Sequence, residues 1–404
     1  MTLSEELTWR GFVNQTTFKD VTVLDRTPIS FYFGVDPSAD SMTVGNLAAA
    51  MMVRHFINHG HKATLLIGGA TGLIGDPDGK KQERDLKELE LVAQNVAGIS
   101  AQYKTVFAGQ PFTIVNNHDW FKDIQFVDFL RNYGKHFSMT QLLDREFVKN
   151  RIGEGGAGIS YAEFSYALIQ GYDFLHLYRE SGITLQLCGA DQWGNSLAGV
   201  ELIRKVESAE AHVWSTPLVI NKATGVKFGK SEDGAVWLDP NKTSPYKFYQ
   251  FWLNVDDEGV GDYLKIYTLI QPDEFDALTE EFEANKAGRA AQKYLAYEVT
   301  KLVHGEGSAQ SVRKVSDVLF GTASFSDLSG ADLEELAKEI PVTKKSSVME
   351  ALVATGAAIS NGEARRFIQG GAVSVNGEKI TEDQEITQAS LLKKGKNTFI
   401  LTRE

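Results

Sequence analysis

Apolar positions along the first half of the chain gather in short unbroken runs separated by segments of helical period. Ile29-Ser30-Phe31-Tyr32-Phe33-Gly34-Val35 predicts a strand buried on both faces. Residues 45–58 follow as a helix carrying Leu47, Met51 and Ile57. Residues 63–67 predict a second strand, which ends in the turn Gly68-Gly69-Ala70-Thr71-Gly72. Residues 112–115 and 183–187 continue the series, with a helix over 162–178 between them. Strands alternating with helices predict parallel pairing in an α/β, doubly wound sheet. Such sheets bind ligands beyond the carboxyl ends of their strands, where the glycines and polar residues of this chain collect.

Near Pro245 the pattern changes. Helical periods dominate over 246–320, and a short acidic helix is expected at 331–339 within a linker. The tail predicts a helix at 347–355 and a second at 362–369 capped by Asn361, then a strand leading into Asn376-Gly377, a strong hairpin signal. The expected organisation is a sheet domain at 1–220, a loop and linker at 221–240, a helical domain at 241–325, a linker at 326–343 and a small α+β module at 344–404.

Composition narrows the function. The 404 residues are 43% hydrophobic and 23% charged, which excludes a disordered or fibrous chain. The net charge of −12 argues against holding nucleic acid with the whole surface. The module from Lys344 onward nevertheless carries +2 against −14 for the remainder, which suggests a separate partner. One cysteine, Cys188, excludes a disulfide framework and a Cys-ligated zinc site. No targeting pattern and no run of eighteen apolar residues is visible, so a cytoplasmic protein without a membrane span is expected.

Three familiar patterns fail on inspection. Gly153-Glu154-Gly155-Gly156-Ala157-Gly158 fits a dinucleotide fingerprint literally but follows a helical pattern, not a strand. Gly229-Lys230-Ser231 ends like a phosphate loop, yet Thr224 stands where its first glycine belongs. His55 and His59 share a helix face without the glutamate of a metalloprotease motif. Three other segments carry more. Gly34-Val35-Asp36-Pro37-Ser38 leads from a strand to a helix opening at Thr43-Val44-Gly45-Asn46, where free N–H groups suit phosphate. Gly189-Ala190-Asp191-Gln192-Trp193-Gly194-Asn195 sets a carboxylate and carboxamides at another strand end. Lys227-Phe228-Gly229-Lys230-Ser231 adds two cations on a glycine-containing loop. Together they suggest a nucleoside triphosphate site.

With Gly68 to Pro77, Gly79-Lys80-Lys81 and Arg84, these motifs make the chain resemble the bacterial tyrosyl-tRNA synthetases, class I aminoacyl-tRNA synthetases, from end to end. KFGKS is similar to that family's KMSKS element, and the tail resembles an RNA-binding module shared with a ribosomal small-subunit protein. The resemblance implies a Rossmann-like catalytic domain with a dimerisation insertion, an anticodon-region helical domain and an RNA-binding module. It places Tyr32, Asp173, Asp76, Tyr166, Gln170 and Gln186 around L-tyrosine. Gly34, Asp36, Ser38, Gly45, Gly189, Asp191, Gln192 and Lys230 match the ATP site. Thr43, Asn46, Lys80, Arg84, Lys227, Lys230 and Ser231 match the catalytic group that meets the phosphates. Arg365, Arg366 and Lys379 are expected to touch tRNA. The family usually opens its helix with His-Ile-Gly-His; here Thr43 replaces the first imidazole and Asn46 the second. The implied reaction forms tyrosyl-adenylate from ATP, with Mg²⁺ arriving on the nucleotide and no protein metal site, then acylates tRNA(Tyr). A homodimer through 126–147 is implied as well. A tryptophan-activating sibling, a small-molecule nucleotidyltransferase and a catalytically weak RNA-binding paralogue are the alternatives.

Overall fold

The computed structural model describes residues 1–77, 87–231, 234–321 and 323–404. They form two compact units, one of residues 1–243 and 255–291, the other of residues 244–254 and 292–404.

The first unit is built on a six-stranded sheet of order β1-β6-β5-β2-β3-β4. Its strands are β1 (Gln15–Thr16), β2 (Ser30–Val35), β3 (Lys62–Ile67), β4 (Phe112–Asn116), β5 (Leu185–Gly189) and β6 (His212–Thr216). All neighbours pair in parallel except β1 with β6. The doubly wound α/β expectation is thereby met. The order reverses direction between β2 and β5, which opens the crevice that such folds use for ligands. The helix Val44–Asn58 is apolar nearly all round because it is buried nearly all round, with Leu47, Ala50, Met51, Met52 and Val53 fully covered. The expected helix at 162–178 runs Tyr161–Ser181, started by Ser160 accepting from the Glu163 N–H and stopped at Gly182 in the left-handed region.

Two strands escaped the sequence pattern. In β6 only Val213 and Trp214 are apolar, and the flanking Ser215 is satisfied across the sheet, its hydroxyl donating to the Gln15 carbonyl at 3.0 Å. β1 is two polar residues whose strand geometry comes from pairing with β6. Tertiary contacts decide both.

The helices Val260–Tyr267 and Pro272–Ala284, expected in the helical domain, belong to the first unit. Arg10 shows why. Its guanidinium, with a fully buried side chain, donates to the carbonyls of Lys265, Thr268 and Ile270 at 2.8–3.0 Å and to Glu6 at 2.8 Å. Glu6 in turn lies 3.1 Å from His55 and 2.7 Å from His59. The histidine pair thus meets a carboxylate from the first helix, Leu3–Arg10, rather than one on its own helix. A cavity of about 350 Å³ opens beside this cluster, at the far end of the Val44–Asn58 helix from Gly45.

In the first unit, β7 (Lys230–Ser231) and β8 (Gly234–Ala235) form a short antiparallel pair. The second unit holds the helices Pro245–Leu253, Ala290–His304 (from Gln292 on) and Glu306–Phe320, and a five-stranded sheet of order β11-β10-β12-β13-β9. Those strands are β9 (Val342–Lys344), β10 (Val373–Val375), β11 (Glu378–Ile380), β12 (Ser390–Lys394) and β13 (Thr398–Arg403). The acidic helix of the expected linker, Gly330–Glu339, is packed: Leu336 is fully buried with Val315, Leu319, Phe399 and Leu401. Asn376 and Gly377 both take positive φ, 50° and 91°, between β10 and β11, which is the hairpin turn that the dipeptide predicts. The helix expected to be capped by Asn361 begins one residue earlier, at Asn361–Gln369. Its cap is Ser360, whose hydroxyl accepts from Glu363 N–H, because the Ser-x-x-Glu spacing places an acceptor where the third helical N–H needs one.

Replacing Arg10 by alanine leaves Glu6 buried without its guanidinium and three carbonyls without a donor. The expected cost is about 3–5 kcal/mol in the unfolding of the first unit. Urea unfolding followed by near-UV circular dichroism measures it, and a loss below about 1 kcal/mol contradicts it.

Candidate active site

Three neighbouring strands, β5, β2 and β3, end together, and their loops carry most of the expected residues. Tyr32 of β2 stands beside Gln186 of β5 in parallel register. Opposite them the helix Tyr161–Ser181 supplies Tyr166, Gln170 and Asp173, spaced four and three residues apart and so on one face.

Asp173 is 2% exposed. Its two carboxyl oxygens accept from Trp120 Nε1 at 2.9 Å and Asn117 Nδ2 at 3.1 Å. Burial outweighs these two donors and pushes its pKa up to about 8. The Tyr32 phenol is pushed up too, by burial and then by the nearby Asp173. Asn117 also donates to Thr71 Oγ1 at 3.2 Å, while its own carbonyl oxygen accepts the Ala70 N–H at 2.7 Å. Thr71 donates to Asp36 at 2.6 Å, and Tyr166 donates to the other Asp36 oxygen at 2.8 Å. Gly68 has to be glycine here, since a Cβ would stand 2.1 Å from Thr71 Oγ1 and 2.2 Å from Asp36. Gln192 donates to Asp76 and accepts from Asn195 at 3.1 Å, which ties the β5 loop to the β3 loop.

Among the described residues, three polar atoms in this region have no hydrogen-bond partner: Tyr32 Oη, Gln170 Oε1 and Gln186 Oε1. Buried polar groups are ordinarily paired, so unpaired ones on two neighbouring central strands and on the helix Tyr161–Ser181 make this region the candidate for meeting a polar ligand.

Of the residues expected to meet the phosphates, Thr43 and Asn46 open the Val44–Asn58 helix. Asn46 Oδ1 accepts both the backbone N–H and the hydroxyl of Thr43, at 3.0 and 2.9 Å, so the two residues that replace histidines are bonded to each other. The lysine segment lies against them: Val44 N–H donates to the Val236 carbonyl at 3.0 Å, and Val236 N–H to that of Gly229, also at 3.0 Å. A Cβ on Gly229, whose φ is +105°, would meet Val44 at 2.8 Å. Lys227 is largely exposed with its ammonium 3.7 Å from Asp191. The Ser38 carbonyl accepts from Lys87 at 2.6 Å. Gly34 is exposed, and Gly45 and Gly189 are partly so. Lys80 and Arg84 lie outside the described residues, as do the side chains of Lys230 and Ser231. Arg365, Arg366 and Lys379 are exposed in the second unit, the arginines on the Ser360-capped helix and the lysine on β11.

Trp120 and Asn117 were not anticipated. Asn116-Asn117 at the end of the 112–115 run is itself a strand end with carboxamides, the same signal that singled out Gln192 and Asn195.

Residues 24–321 match the family description "tRNA synthetases class I (W and Y)", and residues 332–403 match "Tyrosine--tRNA ligase SYY-like C-terminal domain". The chain is 42% identical to the tyrosine–tRNA ligase of Limosilactobacillus reuteri and 44% identical to that of Geobacillus stearothermophilus, over the full length of each. It belongs to the tyrosine–tRNA ligase family. Among solved structures, a C-terminally truncated mitochondrial tyrosyl-tRNA synthetase of Aspergillus nidulans is similar at a TM-score of 0.72 and 30% identity, covering 79% of this chain and 94% of that one. A tryptophanyl-tRNA synthetase of Plasmodium falciparum, at a TM-score of 0.56 and 13% identity, covers 82% of this chain and 89% of its own. It shares the fold alone. For a ligase of this family the unpaired atoms around Tyr32 and Gln170 are the part of the site most in need of explanation. Among the described residues no helix is long and apolar enough to cross a membrane.

The Asp173 carboxyl gives a pH test. Its folded pKa, about 8, lies above the ordinary 3.8, so the stability that goes with the bound proton is lost as pH rises between those values. Asp173→Asn removes that loss, and its thermal midpoint is expected to gain on the parent's from about pH 5 to about pH 8 without substrate. A gap that stays constant with pH contradicts the assignment.

Proposed function

We propose that this chain activates L-tyrosine with ATP, releasing pyrophosphate, and transfers the tyrosyl group to the 3′-terminal adenosine of tRNA(Tyr). The observation that carries the reading is the set of unpaired buried polar atoms, Tyr32 Oη, Gln170 Oε1 and Gln186 Oε1, beside a buried Asp173. Tyr32 and Asp173 suit the substrate phenol, one hydroxyl between a hydroxyl and a carboxyl. Gln170, Tyr166 and Asp76 suit the ammonium, which needs acceptors. Gln186 is a further wall of the pocket. Gly34, Asp36, Ser38, Gly45, Gly189, Asp191 and Gln192 suit the nucleoside, with Asp191 accepting from a ribose hydroxyl.

In the first step the tyrosine carboxylate attacks the α-phosphate, one phosphoanhydride bond breaks, and the electron pair leaves on pyrophosphate. No protein nucleophile is consumed. Catalysis is positioning together with cations and donors that meet the growing negative charge, roles that suit Lys227, Lys230, Ser231, Lys80 and Arg84. Mg²⁺ enters with ATP as part of the substrate. Thr43 and Asn46 stand at the helix start facing the same charge, and their mutual bond orients both. In the second step a ribose hydroxyl of tRNA attacks the tyrosyl carbonyl and AMP leaves.

The exposed Arg365, Arg366 and Lys379 suit tRNA phosphates, and the second-unit helices Pro245–Leu253, Ala290–His304 and Glu306–Phe320 suit the anticodon region. Phe126 and Val127, 64% and 71% exposed, and Leu130, Met139, Leu143 and Tyr161 are exposed apolar side chains that a second copy would cover. A homodimer working in the cytoplasm follows from that reading.

ATP–pyrophosphate exchange with each of the twenty amino acids is the deciding experiment, and tyrosine is expected to support it. Tyr32→Phe and Asp173→Ala are both expected to erode discrimination against phenylalanine, because the hydroxyl then loses a partner that phenylalanine never used. Exchange kinetics as selective as the parent's in both variants overturn the pocket.

Removing residues from Lys344 onward is expected to weaken aminoacylation sharply while exchange stays near the parent rate. The lost tRNA affinity should be salt-dependent. Equal loss of both activities makes the tail structural instead.

A further inference from the structure

The lysine segment does not rest on the Val44–Asn58 helix alone. Its backbone carries few side chains that pack: Leu218, Ile220 and Val226 are exposed, and so are Lys222 and Lys227. Phe228 is the exception. Placed between the two lysines of the motif, it is 6% exposed. It stacks on Tyr263 with ring centroids 4.4 Å apart and planes 29° apart, and leans on Tyr267 at 5.8 Å. Both tyrosines sit on the helix Val260–Tyr267 and are buried, so the aromatic floor belongs to the core of the first unit.

The Tyr263 hydroxyl faces Asp256 at 3.4 Å. A further contact reaches the same helix from the turn before Lys227. Lys222 pairs with Asp262 at 2.5 Å. That ion pair is half-exposed and contributes little alone. The stacked ring contributes more: a buried phenylalanine side chain and an aromatic pair together stabilise by a few kcal/mol. On the other side, the Phe228 carbonyl would be 3.7 Å from a Cβ on Gly45, and a Cβ on Gly229 would meet Val44 at 2.8 Å. The segment is therefore held between the phosphate-binding helix start and an aromatic dock.

We infer that Tyr263 is a positioning residue for adenylate formation: through Phe228 it holds Lys227 and its neighbours against the start of the Val44–Asn58 helix, although it touches no substrate. The inference rests on the reading that Lys227 and Lys230 meet the departing pyrophosphate. Misplacing a cation by an ångström matters more to the transition state, where charge grows on the leaving group, than to bound tyrosine. The effect should appear in the rate of the chemical step and leave tyrosine affinity alone.

Single-turnover formation of tyrosyl-adenylate tests this in Phe228→Leu, Tyr263→Leu, Tyr263→Phe and Lys227→Ala, with tyrosine binding measured on each sample as the check of folding. Both leucine variants are expected to slow the step about ten-fold or more, with tyrosine affinity within about two-fold of the parent. Tyr263→Phe keeps the ring and is expected to recover most of the rate. The double leucine variant is expected to be little slower than the worse single one, because the two residues form one contact. Trypsin should also cut after Lys222 and Lys227 faster in the leucine variants. If Lys227→Ala slows the step but the leucine variants neither slow it nor speed cleavage, the inference fails and the reading of the lysines stands. If Lys227→Ala leaves the rate unchanged, that reading fails and takes the inference with it.

Discussion

A buried carboxyl group met only by neutral donors constrains everything around it. Asp173 lies in the core beside Tyr32, and its oxygens are met by an indole and a carboxamide. Burying a charge in that way is costly, which is why its proton is held to about pH 8. The donors must themselves be held. Asn117 is fixed by Thr71 and the Ala70 N–H, Thr71 by Asp36, and Asp36 by Tyr166, which returns to the helix that carries Asp173. The circuit closes through three strand ends and one helix, so the shape of the pocket and the placement of the sheet edge are a single problem. Gly68 follows from the same circuit, because a side chain there would displace both Thr71 and Asp36.

The legibility of the fold follows how local its causes are. β2, β3 and β5 are apolar runs buried on both faces, and β4 is a shorter run at the sheet's edge, so composition alone marks them. β1 and β6 take their conformation from each other, and no local pattern announces that. The tail was legible down to its turn, since Asn376-Gly377 carries a backbone requirement in two residues. Its helix starts one position before the expected one because Asn361 is also a good cap, while the hydroxyl that accepts the Glu363 N–H is that of Ser360.

The site divides in the same way. Asp36 follows a strand end, Tyr166, Gln170 and Asp173 share helical spacing, Tyr32 lies within β2, and the resemblance to a known family singled out all of these together with Asp76. Trp120 and Asn117 donate to Asp173, and partners of that kind are visible only when the pocket is. The link between Phe228 and Tyr263 spans thirty-five positions in sequence and depends on a helix that seemed to belong elsewhere. Periodicity cannot report which core a helix joins.

The division of the chain also sets an order of events during its synthesis. Arg10 needs the carbonyls of Lys265, Thr268 and Ile270, so the first unit cannot complete its packing until residues near 270 have left the ribosome. By then the helix Pro245–Leu253, which belongs to the second unit, has already emerged. Its Phe248, Tyr249 and Trp252 are core residues, and the rest of their unit, from residue 292 on, is still inside the tunnel or the message. For that interval these rings lack the contacts that complete their unit, such as that of Phe248 with His304. Chaperone binding to the nascent protein is thus best timed to those rings rather than to either finished unit.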